Sequence, residues 1–311
     1  MTHLVGDMDG TSLHPAGRQP RFAVIGPGAI GTTIAAALHE RGRTPLVAGR
    51  TPARELRLES EQGDVVVPGP VRTDPDGVRE PVDVVFLAVK ATQTASATPW
   101  LAALCGPGTV VCVLQNGVEQ VDTVTPLVRG GVVVPAVVWF PAVREPGGAV
   151  RLLADPRLTV PDAPGSATIG AALDGTRCAV EVAADFPTMA WRKLLQNAAA
   201  GLMAITGRRS GVFRREDMGG LTLAYLAECL AVARAEGAHL GDDEPRRILD
   251  AFRASPADRG TSILADRENG RPLEWDIRNG VVQRRGRELG IPTPISDVLV
   301  PLLAATSDGP G

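Results

Sequence analysis

The feature that most constrains this chain is Gly26-x-Gly28-x-x-Gly31, set between the apolar run Arg21–Ile25 (RFAVI) and the Ala-rich stretch Thr32–Arg41 (TTIAAALHER). Strand, glycine turn, helix and a second strand at Pro45–Ala48 make a βαβ opening. In such a unit the first glycine permits a tight turn, the second lets backbone approach a pyrophosphate, and the third lets helix and strand pack closely. Helix N–H groups then face the phosphates. The motif Gly26, Pro27, Gly28, Ala29, Ile30, Gly31 therefore predicts a dinucleotide site, where six such residues without this setting would be only a glycine-rich turn.

The runs Val82–Val89 and Thr109–Leu114 are nearly all apolar, as strands buried on both faces of a parallel sheet are. Gly131–Phe140 predicts a further strand, and the Gly- and Pro-rich segment from Pro141 to Asp185 predicts antiparallel strands that finish the sheet and lead into a linker. From Phe186 long helical patterns take over: Met189–Ile205, Gly220–Glu236, Pro245–Arg253, Ser262–Glu268, Asp276–Leu289 and Ile295–Ala304. The fold expected is α/β, a Rossmann-type dinucleotide-binding domain over 21–184 followed by an all-α domain over 185–305, with flexible tails at 1–20 and 306–311.

Cofactor choice is read at the end of the second strand. Between Arg41 and Arg54 there is no acid, and Arg50 follows Ala48-Gly49. A carboxylate there would repel a 2′-phosphate, whereas a guanidinium would clamp it. NADPH is the expected cofactor, with a solvated loop arginine as the plainer reading of Arg50.

Reducing a carbonyl builds charge on oxygen, so a proton donor is needed. A Tyr-x-x-x-Lys pair is impossible, because Cys229 stands four residues after the only tyrosine, Tyr225. Of the four histidines, two fall in the N-terminal tail, and neither His39 nor His239 has an obvious catalytic setting. Among 32 basic residues only Lys90 and Lys193 are lysines. Lysine can lower its pKa on burial and act as an acid; arginine cannot. Lys90 ends an apolar strand at the sheet edge where ligands gather, and Asn116-Gly117 follows the next strand at the same edge. Lys193 and Asn197 share one helical face.

Other classes are disfavoured. A net charge of −3 without a basic stripe argues against nucleic acid. The longest apolar stretch, near Val132–Val143, is broken by Pro135 and Pro141, so no membrane span is expected, and the N-terminus lacks the apolar core of a signal peptide. Four cysteines without CxxC spacing suit reduced thiols in a cytoplasmic protein, and no metal site is expected.

The ordered set GPGAIG, LAVK ending at Lys90, LQNGVEQ around Asn116, WRKLLQNAAAGLMAITG from Trp191 and SILADRENGRPLEWDIRNGVV from Ser262 resembles the ketopantoate reductases across residues 21–304. The resemblance implies a helical C-terminal domain like that of 6-phosphogluconate dehydrogenase, a possible homodimer, and NADPH-dependent reduction of 2-dehydropantoate, a small 2-oxo acid, to pantoate. Matched block by block, it implies Lys193 as general acid and Glu274 as a group that binds substrate and helps hold the lysine. It puts Asn197 on the substrate hydroxyl, Ser262 on the substrate carboxylate, Asn116 near the nicotinamide and its ribose, and Lys90 beside that ribose. One position departs: the family commonly has a second asparagine where this chain has Gly201. That change removes an amide and leaves space for a larger ligand or a water. A same-fold reductase of another 2-oxo acid or biosynthetic intermediate is therefore the alternative, and an NADP(H)-binding redox sensor without turnover is a more distant one.

Overall fold

The computed structural model describes residues 18–309. The first unit comprises β1 (Phe22–Ile25), α1 (Ala29–His39), β2 (Leu46–Ala48), β3 (Glu55–Glu59), β4 (Val65–Pro68), β5 (Val84–Leu87), α2 (Thr94–Leu104), β6 (Val110–Val113), α3 (Gln120–Val124), β7 (Val132–Pro135), β8 (Val137–Val138), β9 (Ala142–Arg144), β10 (Val150–Leu152), β11 (Arg157–Pro161), α4 (Ser166–Leu173) and β12 (Ala179–Ala183). The main sheet has the order β2-β1-β5-β6-β7 and every pair in it is parallel. Its strands are buried on both faces. Phe22, Val24, Val84 and Phe86 join a core with α1, while Ala23, Ile25, Val85 and Leu87 join another with Trp100 and Leu101 of α2. The chain order reverses between β1 and β5, which opens a crevice at their carboxyl ends, where open α/β sheets take ligands.

The segment after β6 differs from the sequence expectation. The apolar run at 131–140 divides at Ala136: β7 is the fifth strand of the main sheet, whereas β8 pairs with β11 in a separate three-stranded sheet, β12-β11-β8. The strands after Pro141 do not extend the main sheet. β9 and β10 join β3 and β4 in a four-stranded sheet, and two of the pairs this segment makes are parallel rather than antiparallel: β10 with β3 in that sheet and β11 with β12 in the three-stranded one. Helix α4 also lies in this segment.

The second unit comprises α5 (Phe186–Thr206), α6 (Glu216–Ala235), α7 (Glu244–Ala254), α8 (Ser262–Glu268), a π-helical turn over Asp276–Gly280 that runs into α9 (Val281–Leu289), and α10 (Pro294–Asp308). Asp185 caps α5, its carboxylate accepting from Thr188 N–H at 3.2 Å. Trp191, Leu194, Leu195, Phe213, Tyr225, Leu226 and Cys229 fill one core.

Both ends depart from the expected tails. Residues 1–17, 310 and 311 lie outside the described residues, but Arg18 Nη2 sits 2.5 Å from Asp83 Oδ1. α10 continues to Asp308, past the predicted boundary at 305, with Leu303 buried against Ala200, Ala204 and Ile263. One helix, α6, is long and apolar enough by length and composition to cross a membrane, contrary to the sequence reading. Its apolar side chains are committed inward: Tyr225, Leu226, Cys229, Val232 and Ala233 are fully buried. The four cysteines are free and buried.

Candidate functional site

Each glycine of the turn after β1 has its own steric reason. Gly26 has φ +97°, and a Cβ there would lie 2.8 Å from Val89 N. A Cβ on Gly31 would lie 2.1 Å from Gly26 O, so helix and turn pack only with glycine. At Gly28 nothing stands within 4 Å of the Cβ position. Gly28 is the N-cap of α1, with no side-chain cap bond and no acid in the first turn, so the helix start is open and carries no competing negative charge. This cradle fits a dinucleotide pyrophosphate. At the end of β2 the exposed side chains of Arg50 and Arg54 have no hydrogen-bond partner among the described residues. Arg72, which the sequence reading passed over, pairs with Ala48 at the same edge. These guanidiniums suit a phosphorylated ribose.

The opposite wall is a chain of polar side chains from both units. Asn197 Nδ2 on α5 donates to Asn116 Oδ1 at 3.1 Å, and Asn116 Nδ2 donates to Glu274 Oε2 at 3.4 Å. Glu274 Oε1 accepts from Ala91 N–H at 3.0 Å. Arg278 Nη2 donates at 3.1 Å to both Glu274 Oε2 and Ser262 Oγ. Glu274 is 6% exposed and Arg278 2%. Burial alone would raise the Glu274 pKa, but the charge of Arg278, the Ala91 N–H and the charge of Lys90 outweigh it, and the carboxyl is held below its usual range. Glu274 is thus an acceptor.

Lys193 is placed differently. Among the described residues no carboxylate lies within 4 Å of it. Its Nζ stands 5.2 Å from the centroid of the Trp139 ring, a face that favours a cation. Trp139 is fixed by Nε1 donating to Thr159 Oγ1 at 2.8 Å. Burial first, and the nearby charge of Arg278 second, bring the Lys193 pKa down from 10.5 to about 8. An ammonium so poised can give up a proton near neutrality.

The sequence profile described as Ketopantoate reductase PanE/ApbA matches residues 22–165, and that described as Ketopantoate reductase PanE/ApbA C terminal matches 185–307. The chain is 55% identical over 291 residues to a protein of Mycobacterium tuberculosis named 2-dehydropantoate 2-reductase, covering 93% of this chain and 99% of that protein. The corresponding Caulobacter vibrioides protein is 37% identical, with 92% and 99% covered. A solved structure of a dimeric ketopantoate reductase from Staphylococcus aureus superposes with a TM-score of 0.83 at 26% identity, covering 94% of this chain and 100% of that one. This chain belongs to the ketopantoate reductase family.

Of the residues that the family pattern singles out, Asn116, Asn197, Glu274 and Ser262 are joined by the hydrogen-bonded chain above, through Arg278 at its end. Three expectations change. Glu274 does not hold the lysine: its partners are Arg278, Ala91 and Asn116, and Lys193 rests on Trp139. Lys90 is not free beside the cofactor crevice, since its Nζ bonds Oδ2 of the buried Asp266 on α8, tying the strand edge to the helical unit. Gly201 leaves no space: a Cβ there would lie 2.8 Å from Asn279 Nδ2. Asn279, fully buried, donates through Nδ2 to Ala198 O at 3.0 Å and Tyr225 OH at 2.9 Å. The space beside Gly201 is occupied by this amide from the π turn. Arg278, Asn279, Trp139 and Asp266 were missed, and only Arg278, four residues after Glu274 on a helical pattern, carried a sequence signal.

Proposed function

We propose that this chain reduces 2-dehydropantoate to pantoate with NADPH. The support is the pairing of the family match with one observation: Lys193, a half-buried cation without a carboxylate partner among the described residues, one helical turn from an Asn197 that is linked to Asn116 and Glu274. The turn Gly26–Gly31 would hold the pyrophosphate, with Gly28 open to it, and Arg50 would receive the 2′-phosphate. NADPH supplies a hydride to the ketone carbon. Lys193 Nζ gives a proton to the ketone oxygen and is reprotonated from solvent. Ionised Glu274 accepts a hydrogen bond from the substrate, and Asn197 orients the substrate hydroxyl. Asn116, and Lys90 held by Asp266, would face the nicotinamide ribose, and Ser262 donates to the substrate carboxylate. The protein works in the cytoplasm, consistent with its buried free thiols, and as a homodimer, as the Staphylococcus aureus relative is described.

The filled space beside Gly201 removes the reason to expect a bulkier substrate at that point. Steady-state NADPH oxidation with 2-dehydropantoate and a panel of larger and smaller 2-oxo acids tests the reading. The highest kcat/KM should fall on 2-dehydropantoate. A tenfold preference for another acid would overturn the substrate assignment, and no turnover with any acid would overturn the reaction.

A further inference from the structure

We propose that Arg278 is a substrate-binding residue whose guanidinium, together with the Ser262 hydroxyl, receives the carboxylate of the 2-oxo acid. The inference rests on the reading of the cleft given above. A buried guanidinium brings five N–H donors out of water, and each one left unpaired is costly. Here Nη2 is used twice, on Glu274 Oε2 and Ser262 Oγ. Nε is buried and has no partner, and Nη1 makes no hydrogen bond to any described residue. Nε–H and Nη1 point to opposite sides of the guanidinium, and of the two only Nη1 is not sealed off by burial. One oxygen of a carboxylate can accept from Nη1 and the other from the Ser262 hydroxyl.

Charge balance points the same way. The Lys90 cation has Asp266, and Arg278 has Glu274. Among the described residues Lys193 has no carboxylate, and it feels the positive charge of Arg278. Two cations therefore share one anion, and the cleft lacks one negative charge. A 2-oxo acid supplies it, and its adjacent carboxylate and ketone give each of the two cations one group to meet: the carboxylate on Arg278 and the ketone oxygen on Lys193. Ser262 completes the arrangement. It is exposed at the start of α8, its Oγ accepts from Arg278, and its own proton is left free to donate to the same carboxylate.

The π-helical turn makes this placement possible. It carries Arg278 and Asn279 consecutively, and both are buried. Arg278 faces Glu274 and Ser262, while Asn279 fills the space beside Gly201.

The test compares oxamate, a non-reducible 2-oxo acid analogue, with oxamide, the same frame without the charge, by calorimetry on the NADPH-saturated full-length protein. Wild type should bind oxamate much more tightly than oxamide. Arg278→Met should weaken oxamate about 100-fold and leave oxamide and NADPH binding within about twofold. Arg278→Lys, which restores charge but not the planar set of donors that reaches Glu274, Ser262 and the ligand together, should recover part of the loss. Should Arg278→Met misfold because Glu274 is left without its counter-ion, the double variant Arg278→Met with Glu274→Gln removes both charges and is read in the same way. Unchanged oxamate affinity in a folded variant, or equal weakening of oxamate and oxamide, overturns the proposal. A wild-type protein that reduces 2-oxo acids yet binds both analogues alike also overturns it while leaving the proposed reaction standing. Failure of the reaction itself appears separately, as absent turnover in the wild type.

Discussion

On the nucleotide side of the cleft, shape is set by backbone. Gly26 and Gly31 are pressed against main-chain atoms, Gly28 is open, and the rim arginines Arg50 and Arg54 stand in solvent. On the helical side, shape is set by side chains that hold one another: Asn197 to Asn116, Asn116 to Glu274, and Glu274 to Arg278. Backbone needs no partner from a distant part of the chain and binds what any dinucleotide presents. Side-chain wiring depends on residues from distant parts of the chain, Asn197 with Asn116 81 positions apart and Glu274 with Ala91 183 apart, and it can tune a proton donor. The two lysines show the difference. Lys90, at the strand edge, has a carboxylate and serves to join the units; Lys193, on the helical wall, has none and is left ready to titrate.

The largest effect should come from testing that contrast. Lys193→Ala should lower kcat by about 10²–10⁴, the usual worth of a general acid, with NADPH affinity retained. Lys90→Ala should act mainly through a weaker NADPH complex and a looser contact between the units. The pH dependence has a defined sign. As the general acid of the proposed reaction Lys193 must be protonated, and its pKa is lowered to about 8, so kcat/KM should be level below that pH and fall above it. Because a bound carboxylate favours the ammonium, the alkaline limb of kcat should lie at higher pH than that of kcat/KM. A Lys193→Ala enzyme with wild-type kcat, or an alkaline limb that survives that substitution unchanged, would remove the distinction between the lysines.

What could be read in the sequence follows the same division. The turn from Gly26 to Gly31 was legible because its constraint is local. So were helix limits such as Gly290, which ends α9 with φ +68°, and Pro294, which opens α10. Helix α2 was not, since Pro99 inside a Thr- and Ala-rich stretch hides the period. The division at Ala136 was hidden because β7 and β8 are equally apolar and only their partners differ. Lys193, Asn197 and Glu274 were legible as a pattern, but their pairing was not: the expected lysine–glutamate contact is replaced by Arg278, whose importance appears only when α8 and the π turn meet.

A middle-sized effect is expected at Gly201→Asn. If this position lined the substrate space, the substitution would improve turnover of 2-dehydropantoate. Instead the added Cβ meets Asn279, and the rest of the side chain has to displace an amide bonded to Ala198 and Tyr225. The expected outcome is lost stability of about 1–3 kcal/mol from overpacking, read as a lower denaturation midpoint, with no gain in turnover. A variant with unaltered stability and better kcat/KM would mean that Asn279 yields readily and that position 201 faces the substrate.

The smallest effect belongs to the solvent-facing arginine. Arg50 has no protein partner among the described residues, so removing it should cost the fold almost nothing. Its loss should be felt only by a ligand that carries a 2′-phosphate. Arg50→Ala should therefore leave the melting temperature and NADH kinetics unchanged and raise KM for NADPH about tenfold, as expected for one charge-assisted contact at an exposed site. Arg72 gives the control. Its backbone is paired beside Ala48, but its Nη1 already donates to Gly77 O at 3.3 Å, so it is less free to turn toward a phosphate. If the preference for NADPH survives Arg50→Ala and disappears in Arg72→Ala, the 2′-phosphate contact belongs to Arg72. If the unaltered protein uses NADH and NADPH equally well, neither arginine reads a 2′-phosphate, and the backbone-built side of the cleft binds only what the two cofactors share.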